Sequence, residues 1–321
     1  MDTIEIIKAK IEHLTGFGMA SGMPSVLRHI EIAEDYFNRA RIEREEDMFT
    51  DVIYRTNHAF EGILKEAYTI LAEKNPTKLT PNEIEKYLQN NKIFRPRVME
   101  LFKNYRTEWR NPSTHDYQLT FNEQEAFLSI MSVTSFISIL LDQMIEKRSF
   151  DLVKEKGSSS LESMKKYYEE NKDDPLSDIF PYVISGITRE FINNISKEAE
   201  PTERQIIGML SALFQAFTPW ITFDEQPTFK DAAGKLSPDF YIERDGEKIV
   251  LEIKKYRSLT AEKMKLVNEQ MLRYLRAGNV DTGIIIMIPS GNKITDRYDK
   301  TVSESIEDKH IVHIILKPKG N

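Results

Sequence analysis

The sequence predicts a two-domain protein of the α + α/β type, with an N-terminal helical bundle and a C-terminal domain built on a mixed sheet. Two observations carry this prediction. Apolar residues recur at helical spacing through the first part of the chain. From Pro201 onward, apolar runs of strand length alternate with helical patterns. We therefore expect domains at 1–150 and 201–321, with 151–200 as a helical connector.

The composition narrows the class of protein. The chain has 321 residues, of which 40% are hydrophobic, so it can bury substantial cores. It has no cysteine, which excludes disulfides, thiolate zinc sites and cysteine nucleophiles and agrees with a reducing cytoplasm. The most apolar stretch, Phe127 to Leu141, is interrupted by serines and is shorter than the roughly 20 residues of a membrane span. We expect a soluble cytoplasmic protein without a membrane partner.

The charge is distributed unevenly along the chain. The formal net charge of -7 argues against a protein that coats polyanions over its whole surface. Residues 201–321 carry 18 basic and 17 acidic side chains, which leaves 26 basic and 34 acidic in the first 200. The C-terminal domain is therefore the better place for an extended polyanion.

Helical patterns cover most of the first 150 residues. Two capping boxes, Thr80 with Glu83 and Asn122 with Glu125, mark helix starts. Together with apolar spacing they predict helices over 26–40, 49–72, 81–89, 96–110 and from 122 to about 147. The run Gly157 to Ser160 is typical of a linker.

The C-terminal third starts with a helix and continues with strands. A capping box of Thr202 and Gln205 opens a helix that runs through Phe217. Strands over 238–243 and 249–254 flank an Asp-Gly turn, which predicts a hairpin. A helix over 260–277, a strand over 283–289 and a last strand over 311–316 follow. The strand over 283–289 is apolar throughout, so we expect it at the centre of the sheet.

The predicted hairpin gathers two carboxylates and one ammonium group. Glu252 and Lys254 are two residues apart on a strand, so both point to one face, and Asp239 opens the partner strand. The core is expected on the opposite face, at Ile249, Leu251 and Ile253. Two carboxylates suit Mg²⁺, and Lys254 could hold or deprotonate a water or stabilise developing charge. The alternative is a surface ion pair without chemistry.

These residues carry a resemblance to a known superfamily. Residues 201–321 resemble the PD-(D/E)XK nucleases through Pro238-Asp239 and Glu252-Ile253-Lys254. The resemblance implies a restriction-endonuclease-like αβββαβ core, cleavage of nucleic acid, and dependence on Mg²⁺ or Mn²⁺. It also implies Glu203 as a further metal ligand, and Gln270 and Tyr274 as residues that reach the site or a phosphate. Otherwise Glu203 is a favourable charge at a helix start, and Gln270 and Tyr274 lie on a solvated helix face.

A second motif lies in the helical region, at Arg110-Asn111-Pro112-Ser113-Thr114-His115. A histidine can deprotonate the 2′-hydroxyl of RNA, and an arginine can stabilise the charged transition state, without a metal. DNA lacks this hydroxyl, so such a site would select RNA. The alternative is an ordinary loop between helices, with Asn-Pro as its turn and His115 as a cap or surface residue.

Residues of about 25–147 resemble the HEPN superfamily, whose hallmark is Arg-polar-x-x-x-His. Arg110, Asn111 and His115 match this pattern. The resemblance implies a metal-independent endoribonuclease site at a homodimer interface, with an acidic partner residue for which Glu61 is the candidate. Some HEPN domains only bind or assemble, so catalysis at this motif stays open.

Three functional hypotheses follow. The first is a nuclease with two active sites, of a kind typical of prokaryotic defence against phage and able to act with a partner subunit. The second is a Mg²⁺-dependent nuclease whose bundle only dimerises or senses a partner. The third is a nucleic-acid-binding module without activity, which the complete set of Asp239, Glu252 and Lys254 disfavours. The choice between DNA and RNA at the C-terminal site stays open.

Overall fold

The computed structural model describes residues 3–15, 21–115, 118–195, 201–290 and 300–317. The chain divides into two compact units, Met1–Arg148 and Ser149–Asn321. The first unit is helical and the second contains a mixed six-stranded sheet. This arrangement confirms the predicted combination of N-terminal helices with a C-terminal α/β part.

The first unit consists of helices joined by short connections. Their bounds are α1 Thr3–Thr15, α2 Met23–Glu43, α3 Asp47–Leu71, α4 Pro81–Asn90, α5 Pro96–Tyr105, α6 Asn111–His115 and α7 Glu123–Lys156, of which the residues after Arg148 belong to the second unit. A π-helical turn, Arg106–Arg110, joins α5 to α6. The sequence patterns correctly predicted α2, α3, α4, α5 and α7, although α7 continues well beyond residue 147. They missed α1, and the loop interpretation of residues 111–115 was wrong because these residues are helical.

Each predicted capping box is present. In all three, the first residue accepts a bond from the backbone N–H three positions later, while its own N–H donates to that residue's side chain. The pairs are Thr80 with Glu83, Asn122 with Glu125 and Thr202 with Gln205. These local bonds satisfy N–H groups that have no partner within the helix, which is why the starts could be read from the sequence.

Aromatic side chains fill the centre of the first unit. The ring centroid of Phe60 lies 5.6 Å from that of Phe102, 4.6 Å from that of Tyr105 and 5.2 Å from that of Phe136. All four side chains are fully buried. Burying a side chain of this size stabilises the fold by roughly 1.5–3 kcal/mol, so this cluster holds α3, α5 and α7 together.

Helix α7 is long and apolar enough to cross a membrane by length and composition alone. Its most apolar window has a mean hydropathy of 1.6, and 56% of that window is buried inside the structure. Burial against other helices is what the core helix of a soluble protein shows. The helix therefore agrees with the prediction of a soluble protein.

The second unit continues with helices and then strands. Helices α8 Ser158–Glu170, α9 Leu176–Glu190 and α10 Glu203–Ala216 are followed by β1 Thr222–Glu225, β2 Phe229–Asp231, β3 Gly234–Leu236, β4 Phe240–Arg244 and β5 Glu247–Tyr256. Then come α11 Ala261–Gly278, β6 Thr282–Pro289, β7 Lys300–Ile306 and β8 Lys309–Ile315. The patterns predicted α10, β4, β5, α11, β6 and β8 but missed β1, β2, β3 and β7.

The segment from Gly157 to Ser160 is not a linker. Gly157 precedes the first turn of α8 and donates its N–H to the carbonyl of Val153 at 2.8 Å, so it joins α7 to α8 in one tight step. A Cβ at Gly157 would lie 2.7 Å from that carbonyl oxygen, which explains the glycine. Both α8 and α9, in the segment expected to be a connector, belong to the second unit.

The main sheet has the strand order β1-β4-β5-β6-β8-β7. Strands β5, β6 and β8 are parallel, and the outer pairs are antiparallel. Strand β6 is central and buried on both faces, which confirms the prediction from its continuous apolar run. The strands β2 and β3 form a separate two-stranded hairpin.

Helices cover both faces of the sheet. On one face, Val250 and Ile285 pack with Met271 and Leu275 of α11. On the other, Phe240 meets Phe214 of α10, with ring centroids 5.1 Å apart. The expectation of one core face and one polar face for β5 was therefore incomplete. Its polar face is covered as well, and this burial changes the chemistry of the residues it carries.

Candidate active sites

A tight turn sets the register of the β4–β5 hairpin. Asp245 and Gly246 have φ angles of 50° and 87°, and positive φ at both central residues is what the closest hairpin turn requires. Phe240 pairs with Leu251, so Asp239, which precedes β4, stands opposite Glu252. The predicted turn is confirmed, and it brings together side chains thirteen positions apart.

Direct hydrogen bonds link the three predicted catalytic residues. The N–H of Asp239 donates to Oε2 of Glu252 at 3.2 Å, and Oδ2 of Asp239 accepts from the N–H of Ile253 at 2.8 Å. Nζ of Lys254 lies 2.6 Å from Oε1 of Glu252. The prediction that these three groups converge is therefore confirmed. As a whole residue Asp239 is half-buried, whereas Glu252 is only 6% exposed.

Burial perturbs both carboxyl groups. Removal from water raises the pKa of Asp239 to about 7, and the charge of Glu252 adds to the effect. Burial also raises the pKa of Glu252, against the opposing influence of Lys254. Two acids held together out of water resist double ionisation, and clustered perturbed groups of this kind are frequent at functional sites.

Lys254 keeps its proton at neutral pH. Burial acts to lower the pKa of this ammonium group, but the charges of Glu252 and Asp239 outweigh burial and raise the pKa above its usual value. A lysine that stays protonated can hold a water or stabilise negative charge. It is poorly suited to act as a general base.

Gln270 and Tyr274 on α11 belong to the same cluster. Nε2 of Gln270 lies 3.3 Å from Oε1 of Glu252 and 2.6 Å from the hydroxyl of Tyr274. Tyr274 is only 6% exposed. The two residues share a helix face, as their spacing predicted. The alternative of a solvated helix face is wrong.

Glu203 lies nearby at the start of α10. Its Oε1 accepts the N–H of Lys255 at 3.3 Å, and its charge contributes to the raised pKa of Asp239 and of Glu252. Across the described ranges of the chain, no three His, Cys, Asp or Glu side chains group closely enough to hold a metal. Asp239 and Glu252 thus form a pair, and Glu203 as a third ligand stays a prediction.

The donor set of this pair suits one class of metal ion. Mg²⁺ and Mn²⁺ favour carboxylate oxygens, and Mg²⁺ is commonly held by one or two carboxylates while it keeps several waters. Two carboxyl groups whose pKa values are raised by burial and mutual repulsion are stabilised in their ionised form by a divalent cation. Asp239 and Glu252 therefore fit such an ion.

The second predicted site is at the end of the π-helical turn. Nη2 of Arg110 lies 3.4 Å from Oε1 of Glu61, and Nη1 lies 3.2 Å from Oδ1 of Asn111. The structure thus brings together three of the four predicted residues of the Arg-His motif. The side chain of His115 lies outside the described part of the structure, so its place relative to Arg110 stays a prediction.

Glu85 and Arg106, which the sequence patterns did not single out, form an ion pair whose charges act together with that of Arg110. Glu85 is 3% exposed, and its Oε2 lies 3.7 Å from Nη1 of Arg106. Burial raises the pKa of Glu85, against the lowering effect of Arg110 and then of Arg106. The sequence contains one indication that Glu85 is buried, because it lies between Ile84 and Leu88 on the apolar face of α4.

A buried hydrogen-bond network supports the same motif. The hydroxyl of Tyr105 donates to Oγ1 of Thr56 at 2.8 Å and contacts Oδ1 of Asn57 at 3.0 Å. Nδ2 of Asn57 donates to Oγ of Ser113 at 2.6 Å. Helices α3, α5 and α6 are thereby tied together, which fixes the backbone on both sides of Arg110.

Comparison of the chain with protein-family models, with curated proteins and with solved structures returned no match. Any functional assignment therefore depends on the residues and their geometry.

Proposed function

We propose that the second unit is a nuclease that hydrolyses phosphodiester bonds of nucleic acid with Mg²⁺ or Mn²⁺. The observation that carries this proposal is the contact set in which Glu252 accepts from both Asp239 and Lys254. When the separate β2–β3 hairpin is left out, the elements follow one another along the chain as α10, β1, β4, β5, α11 and β6. This is the αβββαβ order of the PD-(D/E)XK superfamily, and it supports membership in that superfamily.

Asp239 and Glu252 would hold the divalent cation, and Glu203 would become an additional ligand if its side chain moved toward them. When bound, the ion supplies a water of lowered pKa and neutralises charge on the phosphate. The raised pKa of Asp239 supports this role, because a carboxyl group that resists ionisation alone gains most from a nearby cation.

The other residues of the cluster would stabilise charge on the phosphate and position the side chain of Glu252. Lys254, protonated and anchored on Glu252, would stabilise negative charge that develops on the phosphate. Gln270 fixes the rotamer of Glu252 by its bond to Oε1, and Tyr274 fixes Gln270 in turn. Gln270 and Tyr274 are then also within reach of a phosphate of the bound strand.

For the first unit we propose a metal-independent endoribonuclease site of the HEPN type. His115 would deprotonate the 2′-hydroxyl, and Arg110 would stabilise the charged transition state. Glu61 and Asn111 hold the guanidinium of Arg110 through the bonds at 3.4 and 3.2 Å. A homodimer through this bundle would bring two such motifs together.

One observation favours an alternative for the first unit. The side chain of Arg110 is only 16% exposed, and both of its Nη atoms already bond to neighbouring side chains, Glu61 and Asn111. A guanidinium engaged this way also suits a structural role. The bundle would then serve as a dimerisation or sensing module, while the second unit cuts nucleic acid.

A chain with two nuclease sites would suit prokaryotic defence against phage, in the cytoplasm and with a partner subunit. The basis is the combination of the Asp239-Glu252-Lys254 set with the Arg110-His115 motif in one chain. This role rests on analogy between site combinations and not on the fold.

The nuclease proposal is tested by cleavage of labelled DNA and RNA in Mg²⁺. Lys254→Ala is expected to lower the rate by about 100-fold or more, because removal of one charge-stabilising group costs this much in comparable sites. Lys248→Ala is the matched control, since Lys248 is exposed on the same strand. Unchanged cutting by Lys254→Ala would eliminate the proposed site.

The two hypotheses for the first unit predict different RNA cleavage in the presence of EDTA. RNA cleavage that persists in EDTA and disappears in His115→Ala supports a catalytic HEPN site. Absence of EDTA-resistant cleavage, together with a dimer that survives the substitution, supports the dimerisation module. Arg110→Lys keeps the charge but loses the forked geometry, so catalysis should fall in this variant and not in Arg39→Lys, a change at an exposed side chain of α2.

A further inference from the structure

The β2–β3 hairpin carries two lysines directly opposite each other. Lys230 pairs with Lys235 in the register of the hairpin, and both side chains are exposed. Opposed residues in such a pair have Cβ atoms roughly 4.5–5.5 Å apart, and like charges at this position are destabilising. An isolated two-stranded hairpin is already marginal, so this charge arrangement opposes its formation.

The other side chains of the hairpin contact helix α11. Asp231 accepts from Nη2 of Arg273 at 2.7 Å and from Nε at 3.1 Å. The ring of Phe229 lies so close to α11 that a Cβ at Gly278 would be 2.8 Å from it. The inner face of the hairpin, with Phe229, Asp231 and Leu236, is thus held in place, while the two lysines face outward.

The hairpin lies on the face of the sheet that carries the candidate nuclease site. The centroid of the Phe229 ring is 6.2 Å from that of Tyr241, and Tyr241 is two residues from Asp239 on the same side of β4. The chain just before the hairpin also contacts the site, because Gln226, three residues before β2, donates its N–H to the carbonyl of Asp239 at 2.9 Å.

The short stretch of chain between Lys235 and Asp239 limits how far the lysines can lie from the site. Lys235 is four positions before Asp239, so their Cα atoms are at most roughly 14 Å apart when the chain is fully extended. Nucleic acid carries one phosphate per roughly 3.4 Å of each strand along the helix axis. The backbone of Lys235 is therefore within a few nucleotides of a phosphate placed at Asp239, and Lys230 lies opposite Lys235 in the hairpin.

We infer that the hairpin is a binding site for the sugar–phosphate backbone of the nucleic acid, beside the scissile phosphate. This inference rests on the proposed nuclease function of the second unit. Two neighbouring phosphates, one bound to Lys230 and one to Lys235, offset the repulsion between the lysines. The exposed lysines contact backbone and not bases, so they contribute affinity and salt dependence rather than sequence preference.

A competing interpretation assigns the lysines a protective role. Charged side chains, lysine above all, blunt the exposed edges of short strands and prevent pairing with other chains. The two interpretations differ in what neutralising the lysines does. Loss of edge protection promotes self-association, whereas loss of a backbone contact weakens nucleic-acid binding in a salt-dependent way.

The test compares Lys230→Gln/Lys235→Gln with the control Lys165→Gln/Lys166→Gln, which removes the same charge from α8. Helix α8 packs against α9, with the Tyr167 and Tyr182 rings 4.0 Å apart, and not on the face that carries the hairpin. All chains also carry Lys254→Ala and His115→Ala, so that bound strands stay intact. Binding of short labelled DNA and RNA, single-stranded and duplex, is measured in Mg²⁺ over a series of NaCl concentrations.

The slope of log affinity against log salt should become shallower by roughly 1.8 on duplex DNA, or roughly 1.4 on a single strand, because two phosphate contacts are lost. The control should keep its slope. The melting temperature of the hairpin variant should be equal or higher, since a repulsive pair is removed.

An unchanged slope in a chain that binds nucleic acid overturns the hairpin assignment alone and leaves the nuclease proposal standing. Self-association of the hairpin variant with an unchanged slope assigns the lysines to edge protection. If the parent chain binds no nucleic acid and the wild type cuts none, both proposals fail together.

Discussion

Asp239→Asn should stabilise the protein at neutral pH and above, and this follows from the buried environment of the carboxyl group. The pKa of Asp239 rises from 3.8 to about 7 on folding. The folded chain therefore retains a proton that the unfolded chain has lost between pH 4 and pH 7. The contribution of this carboxyl group to the free energy of unfolding is therefore highest below pH 4 and decreases as the pH rises to about 7.

The magnitude follows from the size of the shift. About three pKa units correspond to on the order of 4 kcal/mol at most, part of which belongs to the coupling with Glu252. Asparagine is uncharged at every pH, and its Oδ1 can still accept the N–H of Ile253. The variant should thus gain a few kcal/mol over the wild type at pH 8 and little or nothing near pH 4.

Urea unfolding of both chains between pH 4 and pH 8 measures this difference. Mg²⁺ gives a second measurement, because a ligand that binds only the folded state raises the free energy of unfolding. The ion should stabilise the wild type more than Asp239→Asn. A stability difference that is the same at pH 4 and pH 8, or an equal Mg²⁺ response in both chains, would refute the electrostatic argument.

Two further predictions concern the sheet of the second unit. Burial lowers the pKa of His313, against the effect of Glu304, so below pH 6.5 the unfolded chain takes up a proton that the folded chain resists. Relative to the wild type, His313→Leu should therefore gain stability from pH 7 to pH 5, measured as the difference between the melting temperatures of the two chains. Gly283→Ala should destabilise by about 1–3 kcal/mol in urea, because its Cβ would lie 2.6 Å from Sδ of Met271; an unchanged midpoint would show that Met271 moves aside without strain.

Local patterns were sufficient for much of the fold. The capping boxes at Thr80, Asn122 and Thr202 and the turn at Asp245 each depend on residues within a few positions of one another, and all were predicted. Helix α1, strand β1 and the β2–β3 hairpin were missed. Strand β1 is short and mostly exposed, so its pairing with β4 supplies the preference that its own residues lack.

The sequence alone determined which side chains meet at the β4–β5 hairpin. The register of two strands joined by a tight turn is a local property, so Asp239, Glu252 and Lys254 could be placed on one face before any coordinates. The same holds for Gln270 and Tyr274, which are one helical turn apart.

Only the tertiary structure decided how these groups titrate and what surrounds them. The packing of α11 over β5 buries Glu252 and brings Gln270 to it, and the contact of Phe229 with Tyr241 places two lysines beside the site. The arrangement of Glu61 and Glu85 around Arg110 likewise joins three separate helices. Burial and electrostatic interaction depend on distances between segments remote in the chain, and no local pattern encodes those distances.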